Sequence, residues 1–141
     1  MFGQVAAFSG FSSHRIDECM TFYAETLGLQ LEYTMGGFTI LLPTGGSVFV
    51  YPKANHEPAS FTVLNFPVED IEAAVDELNS RGVVTKIYPD DQFPTDRRGI
   101  ARGWEGSPDI AWFTDPSGNV LSVLAPSTGG SATPGELPAG R

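Results

Sequence analysis

Apolar positions along the chain change their spacing in a fixed order, and that order occurs twice. The apolar residues of Val5–Phe11 read as a first strand. From Arg15 to Leu27 the spacing turns helical: Ile16, Cys19, Met20, Tyr23 and Leu27 fall on one stripe, and Gly28 stands where a helix stops. Runs at Leu29–Met35, Phe38–Leu42 and Val48–Tyr51 then predict three strands, separated by GG and PTGG turns. A polar, proline-containing joint, PKANHEPAS (52–60), follows. The second half begins with FTVLNF (61–66) and the helix IEAAVDELNSR (71–81), whose Ile71, Ala74, Val75 and Leu78 form one apolar stripe ended by Gly82. Short strands are expected near Val84–Ile87, Ile110–Thr114 and Val120–Leu124. Each half therefore reads β-α-β-β-β. The expectation is an α+β protein of two tandem βαβββ modules, about 4–53 and 60–125, within one domain over 1–125.

Two segments break the symmetry. YPDDQFPTDRRGIARGWEGSPD (88–109) is too long for a plain connection and places Phe93 and Trp104 among charged residues, the character of a binding loop. PSTGGSATPGELPAGR (126–141) is rich in Gly, Pro and Ser and is expected to be a flexible tail without chemistry.

Composition narrows the function. With 8 Lys and Arg against 17 Asp and Glu, the net charge is −9, which disfavours nucleic acid because phosphate binding needs a basic surface. An acidic surface weakly suits a cationic ligand. No apolar run is long enough to span a membrane. The single cysteine, Cys19, allows no intrachain disulfide, and the absence of a signal-like start makes the cytoplasm the expected location. The two histidines, His14 and His56, are expected at the surface. Cys19 lies on a buried helical stripe and reads as a structural thiol. Arg97, Arg98 and Arg102 read either as an anion clamp or as solvated loop charges, the latter favoured.

The stretch FTDPSGNVLSVL (113–124) is a strand, a tight turn and a strand, and it delivers Ser122 to the face opposite Leu121 and Val123. Together with FYAETLGLQLEY (22–33) and FPVEDIEAAVDELNSRGV (66–83), it resembles the vicinal oxygen chelate superfamily, which contains glyoxalase I, extradiol dioxygenases, fosfomycin-modifying enzymes and bleomycin resistance proteins. The resemblance covers roughly residues 4–125. It implies curved mixed sheets around a cavity, and a homodimer.

It also implies four metal-ligand positions in the family's enzymes, filled by His or Gln, Glu, His and Glu. These map here onto Phe8 (Ser9 if the register slips), Phe49, Val63 and Ser122. A hydroxyl is a poor ligand for a divalent cation, and Phe and Val are none. No metal and no cofactor are therefore expected. In the family register Phe8, Phe49, Tyr51, Val63, Asn65, Trp112 and Ser122 face the cavity, and with Phe38 and Trp104 they form the candidate ligand-binding set. The leading expectation is a metal-free protein of the bleomycin-resistance type that sequesters an aromatic or cationic antibiotic. Two readings stay open beside it: a metal-dependent glyoxalase-like lyase or dioxygenase, and a non-enzymatic interaction module.

Overall fold

The computed structural model describes residues 1–103 and 106–127. Within them lie two helices and two four-stranded mixed sheets, the architecture of an α+β protein with two βαβββ modules. The chain divides into two compact units. One comprises Met1–Pro58 together with Asp115–Gly118; the other comprises Ala59–Thr114 and the chain from Asn119 onward.

In the first unit the strands are β1 (Ser9–Ser13), β2 (Gln30–Thr34), β3 (Gly37–Leu41) and β4 (Ser47–Pro52), in the order β1-β4-β3-β2. The parallel β1–β4 pair is reached through a crossover that includes the helix, as a parallel pair requires. Alternation buries Phe11, Phe38, Ile40, Val48 and Val50 on one face, and Cys19 and Tyr23 join them in the core. The opposite face carries Gly10, Ser12, Phe49 and Tyr51.

The helix α1 (Ile16–Thr21) is shorter than the apolar stripe predicts. It runs into a π-helical turn over Phe22–Thr26, where the Leu27 amide reaches back to the Phe22 carbonyl, and Gly28 at φ +73° leads out of it. The first strand also starts later than expected, at Ser9 rather than Val5. Val5 and Phe8 are exposed, so their apolar character does not mark a core strand.

The second unit repeats the plan. Its strands β5 (Thr62–Pro67), β6 (Ile100–Ala101), β7 (Asp109–Thr114) and β8 (Val120–Ala125) are ordered β5-β8-β7-β6. The helix α2 (Ile71–Ser80) is capped by Asp70, whose carboxylate accepts from the Ala73 amide at 3.1 Å. Its buried Ile71, Val75 and Leu78 match the apolar stripe.

One predicted strand is corrected. Val84–Ile87 forms no strand; the sheet is completed instead by Ile100–Ala101, from within the long insertion. Thr85 takes its partner from the insertion through its side chain, donating to the Arg98 carbonyl at 2.6 Å. Gly99 packs so closely on Thr85 that a Cβ there would lie 1.9 Å from its carbonyl oxygen. Residues 128–141 of the expected tail lie outside the described residues.

Candidate ligand pocket

The second unit carries a pocket of about 420 Å³ between its sheet and the start of the insertion. Ile110 and Trp112 of β7 and Thr62 of β5 form its floor. Tyr88, Gln92 and Phe93 of the insertion form a wall, and Ser60 and Phe61 stand at the rim. The volume falls within the range of small-molecule sites.

The floor depends on a one-residue irregularity. The β5–β8 register shifts between Thr62 and Leu64, leaving Val63 as the extra residue of a bulge. Strict alternation would place Val63 beside Asn65. The bulge instead puts Thr62, which pairs with Val120, on the same face as Asn65, which pairs with Ser122. Trp112, opposite Ser122 on β7, belongs to that face too. The predicted position of Val63 is thus corrected, and Thr62 takes its place.

Two hydrogen bonds link polar side chains of this face. Ser122, fully buried, donates to Asn65 Oδ1 at 2.5 Å, and the Trp112 indole N–H donates to Thr62 Oγ1 at 3.1 Å. Around the indole the aromatic rings are crossed rather than stacked: Phe93 meets it at 4.8 Å and Tyr88 at 5.5 Å, each at an interplanar angle of 78°. Burial pushes the Tyr88 phenol above its ordinary pKa, so it stays neutral at physiological pH. None of the lining side chains carries a charge at that pH.

The other candidate residues lie in the first unit. Phe49 and Tyr51 share one sheet face with their rings 6.0 Å apart, and Phe8 is exposed just before β1. Phe38 is corrected: its ring is fully buried in the core, 5.8 Å from Tyr23, and has no surface to offer a ligand. Trp104 lies outside the described residues. Sequence reasoning missed Ser60, Thr62, Tyr88, Gln92 and Ile110 as a set. Phe93 was the one available signal, an aromatic residue in an overlong loop.

The residues at the metal positions that the resemblance implies do not fit a cation: Ser122 is engaged with Asn65, and Phe8, Phe49 and Val63 offer only hydrocarbon. Among the described residues no group of three or more His, Cys, Asp or Glu converges to hold a metal ion.

His14 is exposed as expected, but His56 corrects the expectation. His56 is half-buried and stacks on the exposed His14 with ring centroids 5.5 Å apart. Its Nδ1 meets Ser12 Oγ at 2.5 Å and its Nε2 meets the Ser117 carbonyl at 3.0 Å. A carbonyl only accepts, so Nε2 carries a proton, and in the neutral ring Ser12 donates to Nδ1. Cys19 is fully buried between Ser13 and Ser117, and burial raises its thiol pKa. Two of the insertion's three arginines are tied to carboxylates: Arg98 to Glu72 and Asp76, and Arg102 to Glu72, Asp96 and Asp109. No described helix is long and apolar enough to cross a membrane.

Comparison with known proteins agrees with the two-module fold. No curated protein sequence matches the chain. A glyoxalase/bleomycin resistance protein/dioxygenase from Nocardioides is 19% identical, with a TM-score of 0.63 over 95% of this chain and 89% of that one. TnmS3, an antibiotic binding protein from Streptomyces sp. CB03234, is 21% identical, with a TM-score of 0.60 over 88% of this chain and 98% of that one. The fosfomycin resistance protein FosX from Listeria monocytogenes is 10% identical, with a TM-score of 0.64 over 86% and 93%. At such identities these likenesses speak for the fold. A sequence model of one family matches residues 11–123, and the chain belongs to that family, the Glyoxalase/Bleomycin resistance protein/Dioxygenase superfamily.

Proposed function

We propose that this chain is a metal-independent small-molecule-binding protein that sequesters its ligand in the manner of the bleomycin resistance proteins. The observation that carries the reading is the pocket on the second sheet, about 420 Å³ in volume, with three crossed aromatic rings and no charged side chain in its lining. The neutral residues at the mapped metal positions support it further, since Lewis-acid chemistry there would need carboxylate or imidazole donors. TnmS3, whose fold is similar, is an antibiotic binding protein, and this supports a binding role. We further propose a cytoplasmic homodimer, its oligomeric state to be checked by light scattering and its location by cell fractionation.

The test has two parts. Elemental mass spectrometry of protein purified without chelator should find well under one divalent metal per chain. A screen of aromatic antibiotics should find a compound that binds saturably and is recovered unchanged. Stoichiometric Mn, Fe, Ni or Zn would revive the lyase or dioxygenase reading. A converted compound would make the chain an enzyme.

A further inference from the structure

We infer that the pocket selects an uncharged, flat aromatic molecule bearing a hydrogen-bond-accepting oxygen, and that the Thr62 hydroxyl is the group that reads this oxygen. The inference rests on the small-molecule-binding reading above and deepens it.

A hydroxyl has one proton to give and can accept as well. The Thr62 oxygen accepts from the Trp112 indole N–H at 3.1 Å, and its own proton has no partner among the described residues. Thr62 lines the pocket and is half-buried. It therefore presents a donor with limited access to water, a group that is costly to leave unpaired once a ligand covers it. Accepting a hydrogen bond also polarises the hydroxyl and strengthens its donation. The complement is an acceptor such as a carbonyl oxygen. The Ser60 hydroxyl at the rim and the Gln92 side-chain amide of the wall also lack partners among the described residues, and they can hold a second polar group.

The indole N–H, once bonded to Thr62, makes no polar demand of its own. Tyr88 and Phe93, both half-buried and packed edge-on against the largely buried Trp112, offer ring surface, which favours flat aromatic ligands. With no carboxylate or cation in the lining, an ion entering the pocket loses hydration without gaining a counter-charge. Although the chain carries a net charge of −9, no charged side chain lines the pocket, so the preference for a cation suggested by composition does not carry over to this site.

The test uses the full chain and three probes of one ring size: 2-acetylnaphthalene, 2-ethylnaphthalene and trimethyl(2-naphthyl)ammonium. Affinity is read from the Trp112 indole N–H resonance, assigned with Trp112→Phe. The acetyl probe should bind about tenfold tighter than the ethyl probe, and at least about tenfold tighter than the cation. Thr62→Val keeps the shape and should abolish the acetyl-over-ethyl preference, while Thr62→Ser should keep it. Comparing ratios within each variant cancels any general loosening of Trp112. An unchanged preference in Thr62→Val, or none in the parent, overturns the role of Thr62. A cation that binds as well as the acetyl probe overturns the neutral class. No response to any probe overturns the inference; the pocket reading itself falls only if the broader antibiotic screen is blank as well.

Discussion

The phenolic hydroxyl of Tyr23 donates to Asp115 Oδ2 at 2.7 Å, and both residues are buried. Ninety-two positions apart in sequence, they tie the π-helical turn after α1 to the turn between β7 and β8. Asp115 holds that turn from within: its other oxygen accepts from the Ser117 amide at 2.8 Å, and its carbonyl accepts from the Gly118 amide at 2.9 Å. The FY and DPSG stretches thus serve one joint. Removing the hydroxyl leaves a buried carboxylate short of a donor. Tyr23→Phe is expected to cost about 1.5–3 kcal/mol, read as a lower urea midpoint at unchanged m-value.

The same joint sets the alkaline limit of stability. Burial, reinforced by the Asp115 charge, pushes the Tyr23 pKa well above its ordinary 10.0, and burial raises Cys19 above 9.0. Both groups are held protonated in the folded state. Their contribution is therefore complete below the ordinary values and is lost as pH rises past them, because the unfolded chain then releases protons that the folded one keeps. Stability from these groups should be level up to about pH 9 and fall above it, by up to about 1.4 kcal/mol per pH unit for each group. In Tyr23→Phe the decline above pH 10 should be shallower, as seen in denaturation midpoints between pH 8 and 11.

How much of this was legible in the sequence follows from where the information is local. Helix stripes and turn chemistry are local, so α2 and its Asp70 cap, the DPSG turn and the face of Ser122 could be read directly. The bulge at Val63 is not local. It is set by pairing with β8, and one extra residue moved Thr62 rather than Val63 onto the pocket face. The strand expected at Val84–Ile87 failed for a similar reason. Its burial alternates, with Val83 and Thr85 buried and Val84 exposed, yet Thr85 bonds to Arg98 through its side chain and not through a ladder. His56 looked like a linker residue because its partners, Ser12 and Ser117, lie 44 and 61 positions away.

Gly99 gives a sharp test of how the insertion is anchored. Its φ of +89° already disfavours any side chain, and a Cβ would fall 1.9 Å from the Thr85 carbonyl oxygen and 2.8 Å from the Lys86 amide nitrogen. Those are backbone atoms and cannot swing away. Gly45 has a similar φ of +92° but nothing within 4 Å of a Cβ. Gly45→Ala should cost about 1 kcal/mol from backbone strain alone, whereas Gly99→Ala should cost roughly 3 kcal/mol or more. Because Tyr88 and Phe93 belong to the same insertion, the Gly99 variant should also shift the Trp112 fluorescence, and the Gly45 variant should not.

Ser122 separates the binding reading from the metal reading by substitution. Its hydroxyl is fully buried but among the described residues serves only Asn65, whose side chain retains contact with solvent. Ser122→Ala should therefore cost only about 1 kcal/mol. Ser122→Glu supplies the carboxylate that the resemblance implies for a metal-binding relative, yet it must fit a larger, charged group into a site without exposure, beside Trp112. The expected cost is about 3–5 kcal/mol, with no rise in melting temperature when Mn²⁺ or Zn²⁺ is added. A melting temperature that climbs with metal concentration in Ser122→Glu would show that the remaining ligands of a metal site are in place, and that the neutral face described here had lost only one of them.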